Sequence, residues 1–150
     1  MNADFWINGQ PLGNHPYGYT SFEFDLTPWL KAAGQENVIA VRVRNEGKNT
    51  RWYSGSGIYR HTWLTFTDPI QVPTWGVFVR TPEVSTEKAV VKIASEIRNS
   101  TGTETDVIIR ARVLNPKGKT VQTAESKVHL TGDETLTVEQ TVEVRSPKLW

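Results

Sequence analysis

Short runs of period-two alternation, cut by turn residues, limit the fold of this sequence more than any other feature. β-Branched and aromatic runs recur between clusters of Gly, Pro, Asn and Asp, and no segment keeps a helical period for three turns. Residues 3–7 read as a strand closed by Asn8-Gly9, the strongest two-residue hairpin signal. Residues 21–25 alternate apolar and acidic, which predicts a strand with Phe22 and Phe24 facing a core. Residues 26–31 allow a single helical turn, with Thr27 as N-cap, Pro28 at the first helical position and Gly34 as its stop. Residues 37–45 carry Ile39, Val41 and Val43 on one face. Residues 59–67 predict a further strand, with Leu64 and Phe66 opposite Tyr59, His61 and Trp63.

Asp68-Pro69 interrupts this pattern, and the composition shifts there. Five of the six tryptophans occur by Trp75, whereas the second half is rich in Val, Ile and Thr. Val91, Ile93 and Ile97 share a face across Ser95; Val107, Ile109, Ala111 and Val113 form a second row. Residues 120–130 are polar enough for an edge, and Leu136, Val138, Val142 and Val144 align at period two. Turns spaced by roughly a dozen residues point to a β-sandwich. The expected organisation is therefore all-β, with a domain boundary between residues 69 and 70.

Charge and chemistry narrow the function. Seventeen basic and sixteen acidic residues leave a net charge of +1, which argues against nucleic acid as a partner. The cluster of Arg42, Arg44, Lys48 and Arg51 is broken by Glu46 and reads as a solvated strand end. No apolar run approaches the roughly 20 residues that span a bilayer, so no membrane partner is expected. The opening residues lack the basic and apolar regions of a signal peptide. The absence of cysteine excludes disulfides and thiolate metal sites without fixing a compartment, so localisation stays open. His15, His61 and His129 lack ligand spacing, and neither a metal nor another cofactor is expected. Ser54-Gly55-Ser56-Gly57 precedes a strand rather than a helix, so it reads as a turn and not a nucleophile elbow. Glu23 and Asp25, roughly 7 Å apart along a strand, are the best-spaced carboxylates. They lie opposite Phe22 and Phe24 and so read as solvent-facing, leaving no catalytic residue.

Arg51-Trp52-Tyr53 is the richest candidate. Aromatic rings can cover the apolar face of a sugar while Arg donates to its hydroxyls, and loops on rigid β-scaffolds are common binding positions. Ile58, Tyr59 and Trp63 read instead as sandwich core.

Trp6-Ile7-Asn8-Gly9, residues 13–22, Asp25-Leu26-Thr27, residues 37–43 and residues 51–60 follow one another in a set order. This ordered set, ending in Ser56-Gly57-Ile58-Tyr59-Arg60, resembles the sugar-binding domain of glycoside hydrolase family 2, which includes β-galactosidases, β-glucuronidases and β-mannosidases. The wording is most similar to bacterial β-galactosidase-like members. Residues 70–150, through Ser146-Pro147-Lys148-Leu149-Trp150, are similar to the family's immunoglobulin-like second domain. The resemblance implies that residues 1–69 are the C-terminal part of a jelly-roll sugar-binding domain and residues 70–150 most of the immunoglobulin-like sandwich. It also implies a carbohydrate substrate and a catalytic barrel elsewhere in a parent chain. The family's two catalytic glutamates lie in that barrel, so this chain alone should be inactive. In the family the loop before the Gly-Ile-Tyr-Arg strand approaches the active site. Arg51, Trp52 and Tyr53 are the residues carried over by motif position as substrate-proximal. Two other functions fit the pattern: an autonomous carbohydrate-binding module, and an adhesion-type sandwich without ligand. Incomplete sandwiches would expose strand edges and favour a homo-oligomer formed by strand pairing or swapping.

Overall fold

The computed structural model describes residues 2–47, 51–52 and 55–149. Apart from a single turn of 3-10 helix, every regular element among the described residues is a strand, and every strand pairing is antiparallel. The chain divides into two compact units, Met1–Trp63 and Leu64–Trp150.

The first unit is built on strand β1 (Asn2–Ile7), flanked by β2 (Gln10–His15) and β3 (Ile39–Arg44). Asn8 and Gly9 join β1 to β2 with φ of +53° and +82°. That pair of positive values belongs to the turn whose twist matches a two-residue hairpin. Alternation then sorts the side chains. Ala3, Phe5 and Ile7 lie opposite Val43, Val41 and Ile39, and Ile7 is fully buried. Phe5, Phe22 and Phe24 form a triangle of tilted rings, with centroids 5.0, 5.2 and 5.6 Å apart. Such pairs each add about 0.5–1.5 kcal/mol beyond simple burial. Gly13, which pairs with Phe5, makes room for the cluster, because a Cβ there would come within 2.8 Å of the Phe24 ring.

The opposite face is polar. The Asp4 carboxylate accepts from Arg42 Nε at 3.1 Å and Nη2 at 2.8 Å, and from Asn14 Nδ2 at 2.7 Å, with Arg44 at 3.3 Å. These donors hold its pKa below the ordinary carboxylate value, Arg42 contributing most and Asn14 next.

Several sequence expectations for this unit are corrected. Residues 21–25 form no strand: Phe22 and Phe24 do turn toward Phe5, but the backbone finds no ladder partner among the described residues. The 3-10 turn spans Thr27–Trp29, with Leu26 at the N-cap position. Asp25 rather than Thr27 supplies the local acceptor, its Oδ1 receiving the Thr27 N–H at 2.9 Å. The turn ends at Leu30, not Gly34. Residues 59–67, which run past the end of this unit at Trp63, likewise form no ladder among the described residues, and Ile58, Tyr59 and Trp63 are exposed rather than core, at 63%, 60% and 83%. The alternation there survives only locally, in the stacking of His61 on Trp63 at 5.8 Å. A period-two pattern states which side chains share a face; a strand also needs a second backbone to bond.

The second unit is a two-layer sandwich. β4 (Ile70–Gln71), β5 (Val77–Val84), β6 (Lys88–Asn99) and β9 (Thr135–Arg145) form one sheet, and β7 (Thr105–Leu114) and β8 (Thr120–Leu130) the other. β9 pairs with β6 from Lys88 to Arg98, occupying one edge. β5 and β4 must therefore share the other, pairing with residues 89–95 and 98–99. Ile93, Ser95 and Ile97 of β6 and Val138, Gln140 and Val142 of β9 are buried, as is Leu130. Val107, Ile109, Ala111 and Val113 are the more covered set on β7, as their alternation predicts. Gln140 bridges the layers, its Nε2 donating to Ile109 O at 3.2 Å and Ser126 Oγ at 3.0 Å. β5 lies where the sequence pattern predicts no strand. Pro82 sits in it at a register shift between Arg80 and Glu83, which an edge strand tolerates.

Asn99 ties the turns at one end of this unit. It is only 1% exposed. Its Nδ2 donates to Thr103 O and Thr131 O, both at 2.8 Å, while Oδ1 accepts from Thr101 N at 3.0 Å and Thr101 Oγ1 at 2.8 Å. The two turns approach so closely that a Cβ on Gly132 would lie 2.5 Å from the Gly102 carbonyl carbon.

Asn99→Ala should destabilise the sandwich by about 3 kcal/mol, because it removes four hydrogen bonds made by one buried side chain; urea unfolding followed by circular dichroism measures this. A second expectation concerns acid. A carboxylate with a lowered folded pKa stabilises the fold above its unfolded value, about 3.9, and this contribution is lost as pH falls through the folded value. Asp4→Asn should therefore flatten the acid limb of the stability–pH curve of the first unit.

Candidate functional site

Of the three residues expected to face substrate, the structure describes two. Arg51 and Trp52 lie in a bend and are exposed, Trp52 at 77%. Tyr53 lies outside the described residues. The segment that follows is anchored. Tyr59 O–H donates to Gly18 O at 3.0 Å, so residues 57–60 are fastened to the turn after β2. Tyr19 meets Tyr59 edge-on at 6.5 Å, Tyr17 lies 5.5 Å from Tyr19, and the Arg60 guanidinium sits 5.4 Å from the Tyr59 ring centre.

Two sequence motifs read as separate, residues 13–22 and 51–60, are thus brought together through Tyr19 and Tyr59. Tyr17, Tyr19 and Arg60 were not singled out from the sequence as site residues. The signal available was two tyrosines flanking Gly18 after Pro16, a pattern that displays both rings on one turn. All three tyrosines keep more than half of their surface, at 57%, 66% and 60% for Tyr17, Tyr19 and Tyr59. Exposed rings whose orientation is set by a hydrogen bond and by each other can cover an apolar ring face at little further cost in side-chain entropy. Arg60 adds donors beside them.

The remaining candidates are occupied elsewhere. Glu23 is exposed on irregular backbone, and Asp25 serves the Thr27 N–H, so the pair does not share a strand face. Arg42 and Arg44 converge on Asp4, while Lys48 and Ser54 lie outside the described residues. His15 stacks on Phe22 at 4.1 Å and meets Thr20 Oγ1 at 3.1 Å. His129 lies on the outer face of β8, with Nδ1 2.8 Å from Asp106 and Nε2 3.6 Å from Glu104. Asp106, the larger influence, raises its pKa, with Glu104 adding to the effect. Among the described residues no group of three His, Cys, Asp or Glu side chains could hold a metal ion, and no helix is long and apolar enough to cross a membrane.

Comparison with known proteins identifies the scaffold. Residues 75–150 match the family described as glycosyl hydrolases family 2. The whole chain aligns at 41% identity with the β-galactosidase BoGH2A of Bacteroides ovatus, covering 18% of that protein. It superposes over its full length on a glycosyl hydrolase family 2 member from Bacteroides cellulosilyticus, with a TM-score of 0.91, 46% identity and 20% of that chain covered. A β-glucuronidase of Bacteroides uniformis superposes on 99% of the chain with a TM-score of 0.86 and 31% identity, again over 19% of its own length. The chain belongs to glycosyl hydrolases family 2, and it spans about a fifth of the length of these relatives.

Proposed function

We propose that this chain is a non-catalytic accessory region of a retaining, β-galactosidase-like glycosidase that hydrolyses terminal β-glycosides. The observation that carries this reading is the end-to-end alignment of the chain with under a fifth of a β-galactosidase, at 41% identity. Retaining hydrolysis needs two carboxyl groups about 5–5.5 Å apart. The acidic residues that sequence spacing offered, Glu23 and Asp25, lie on irregular backbone and make a poor pair. The chemistry is accordingly assigned to a barrel elsewhere in the longer protein.

On this reading residues 1–69 are the C-terminal part of a jelly-roll sugar-binding domain, and residues 70–150 an immunoglobulin-like spacer. Arg51, Trp52 and Tyr53 contribute one wall of the pocket. The tethering of residues 57–60 to Gly18 supports this, because it gives the loop that precedes them a fixed end. Released from the longer protein, the chain would pair through the outer edges of β7 and β8, which form a ladder with no other strand among the described residues.

A second reading, an autonomous carbohydrate-binding module, is favoured by the exposed rings of Tyr17, Tyr19, Trp52 and Tyr59.

The longer protein should release nitrophenol from nitrophenyl β-galactoside faster than from the β-glucuronide, and the isolated chain from neither. Turnover by clean isolated chain, lost on Glu23→Gln, would sink the accessory reading. In the longer protein Trp52→Ala should raise KM about five- to tenfold with kcat little changed, as expected for a ring that binds ground and transition states alike. Galactose titrated into the isolated chain separates the two readings. Unmoved nitrogen–proton resonances favour the accessory region, whereas a shifted Trp52 indole favours the module.

A further inference from the structure

We propose that Asn8-Gly9 is a deamidation site of this chain, held in check by the hydrogen bonds on the Asn8 carboxamide. It is the sole Asn-Gly pair in the sequence. Glycine has no β-carbon to shield its amide, so the Gly9 nitrogen is the least hindered backbone nucleophile an asparagine side chain can meet. In the reaction the Gly9 nitrogen attacks Asn8 Cγ. A Cγ–N bond forms, the Cγ–Nδ2 bond breaks, and Nδ2 leaves as ammonia with the proton that Gly9 gives up. Solvent water then opens the resulting five-membered imide at either carbonyl, yielding aspartate or isoaspartate. No oxidant or cofactor is required.

The geometry opposes the attack on Cγ. Asn8 Nδ2 donates to Trp29 O at 2.9 Å and to Asn37 Oδ1 at 2.8 Å, which occupies both of its hydrogens. Asn8 Oδ1 accepts from Val38 N at 3.0 Å. The backbone is fixed as well: Asn8 N donates to Val38 O at 2.9 Å, and φ is +53°. Asn37 is itself oriented by the Lys31 N–H, 2.9 Å from its Oδ1. To reach Gly9, the carboxamide must leave all of these partners, so conversion proceeds through a locally opened form.

The product cannot return to this arrangement. A carboxylate has no hydrogens for Trp29 O and Asn37 Oδ1 and would face two acceptors. Isoaspartate also lengthens the backbone of a two-residue turn whose register sets the hairpin. One reaction would loosen the β1–β2 hairpin, the Thr27–Trp29 turn and the entry to β3 together. Asn8 is in this sense an ageing-sensitive latch on the first unit.

The test is peptide mass spectrometry on the longer protein that carries this chain, incubated at neutral pH. Conversion at Asn8 should be at least about tenfold faster in urea than in the folded protein. In folded Asn37→Ala it should be about five- to tenfold faster than in wild type, from the loss of one restraining hydrogen bond. No conversion in the unfolded protein would overturn the site. Equal rates in folded and unfolded wild type would overturn the restraint, as would a folded Asn37→Ala that converts at the wild-type rate. Should Asn37→Ala fail to fold, the comparison of folded with unfolded wild type decides alone.

Discussion

A β-strand persists only where a second backbone satisfies its N–H and C=O groups, and this requirement shapes everything the chain does. In the second unit β6 meets it most fully: β9 runs along one edge, while β5 and β4 divide the other. Its inward residues then have a fixed plane from which to meet β7 and β8. In the first unit β1 plays the same part between β2 and β3. Where no ladder partner is found among the described residues, as at residues 21–25 and 59–67, strand-like sequence stays irregular. Tyr59 then finds its partner through its side chain instead.

Asparagine side chains complete what the ladders leave open. Asn8, Asn14 and Asn99 each bond to residues distant in sequence, and each does so at the end or edge of a sheet, where turns present unpaired groups. Asparagine suits that place, because one short side chain carries both donors and an acceptor and tolerates a left-handed backbone. The same versatility makes Asn8 both a structural hub and a chemical liability beside Gly9.

A buried, well-paired set of residues stands beside a large exposed aromatic set. Trp52, Trp63, Phe66, Trp75 and Phe78 are all more than half exposed. Rings placed on turns, as in Tyr17 and Tyr19, and rings placed on unpaired backbone, as in Trp63, are different kinds of exposure. Tyr17 and Tyr19 touch each other, and Tyr19 meets a Tyr59 ring held by the Gly18 carbonyl, which is why this set bears on the functional reading.

Much was legible in the sequence. The hairpin at Asn8-Gly9, the inward rows of β6, β7 and β9, the all-β class and the family resemblance all follow from local rules: positive φ at a defined pair, alternation at period two, and ordered motifs. These properties reside in neighbouring residues and need no knowledge of the rest of the fold. The candidate site was legible only in part. Arg51 and Trp52 could be named from composition and motif, but the meeting of Tyr19 with Tyr59 joins segments forty residues apart, and no local pattern encodes that. The 3-10 turn acquired its acceptor from Asp25 rather than Thr27, and Pro82 was admitted into β5 because that strand occupies an edge. The sequence by itself determined which faces are apolar and where the chain can turn. The tertiary structure alone decided which strands find partners, since pairing depends on a second backbone that alternation cannot specify.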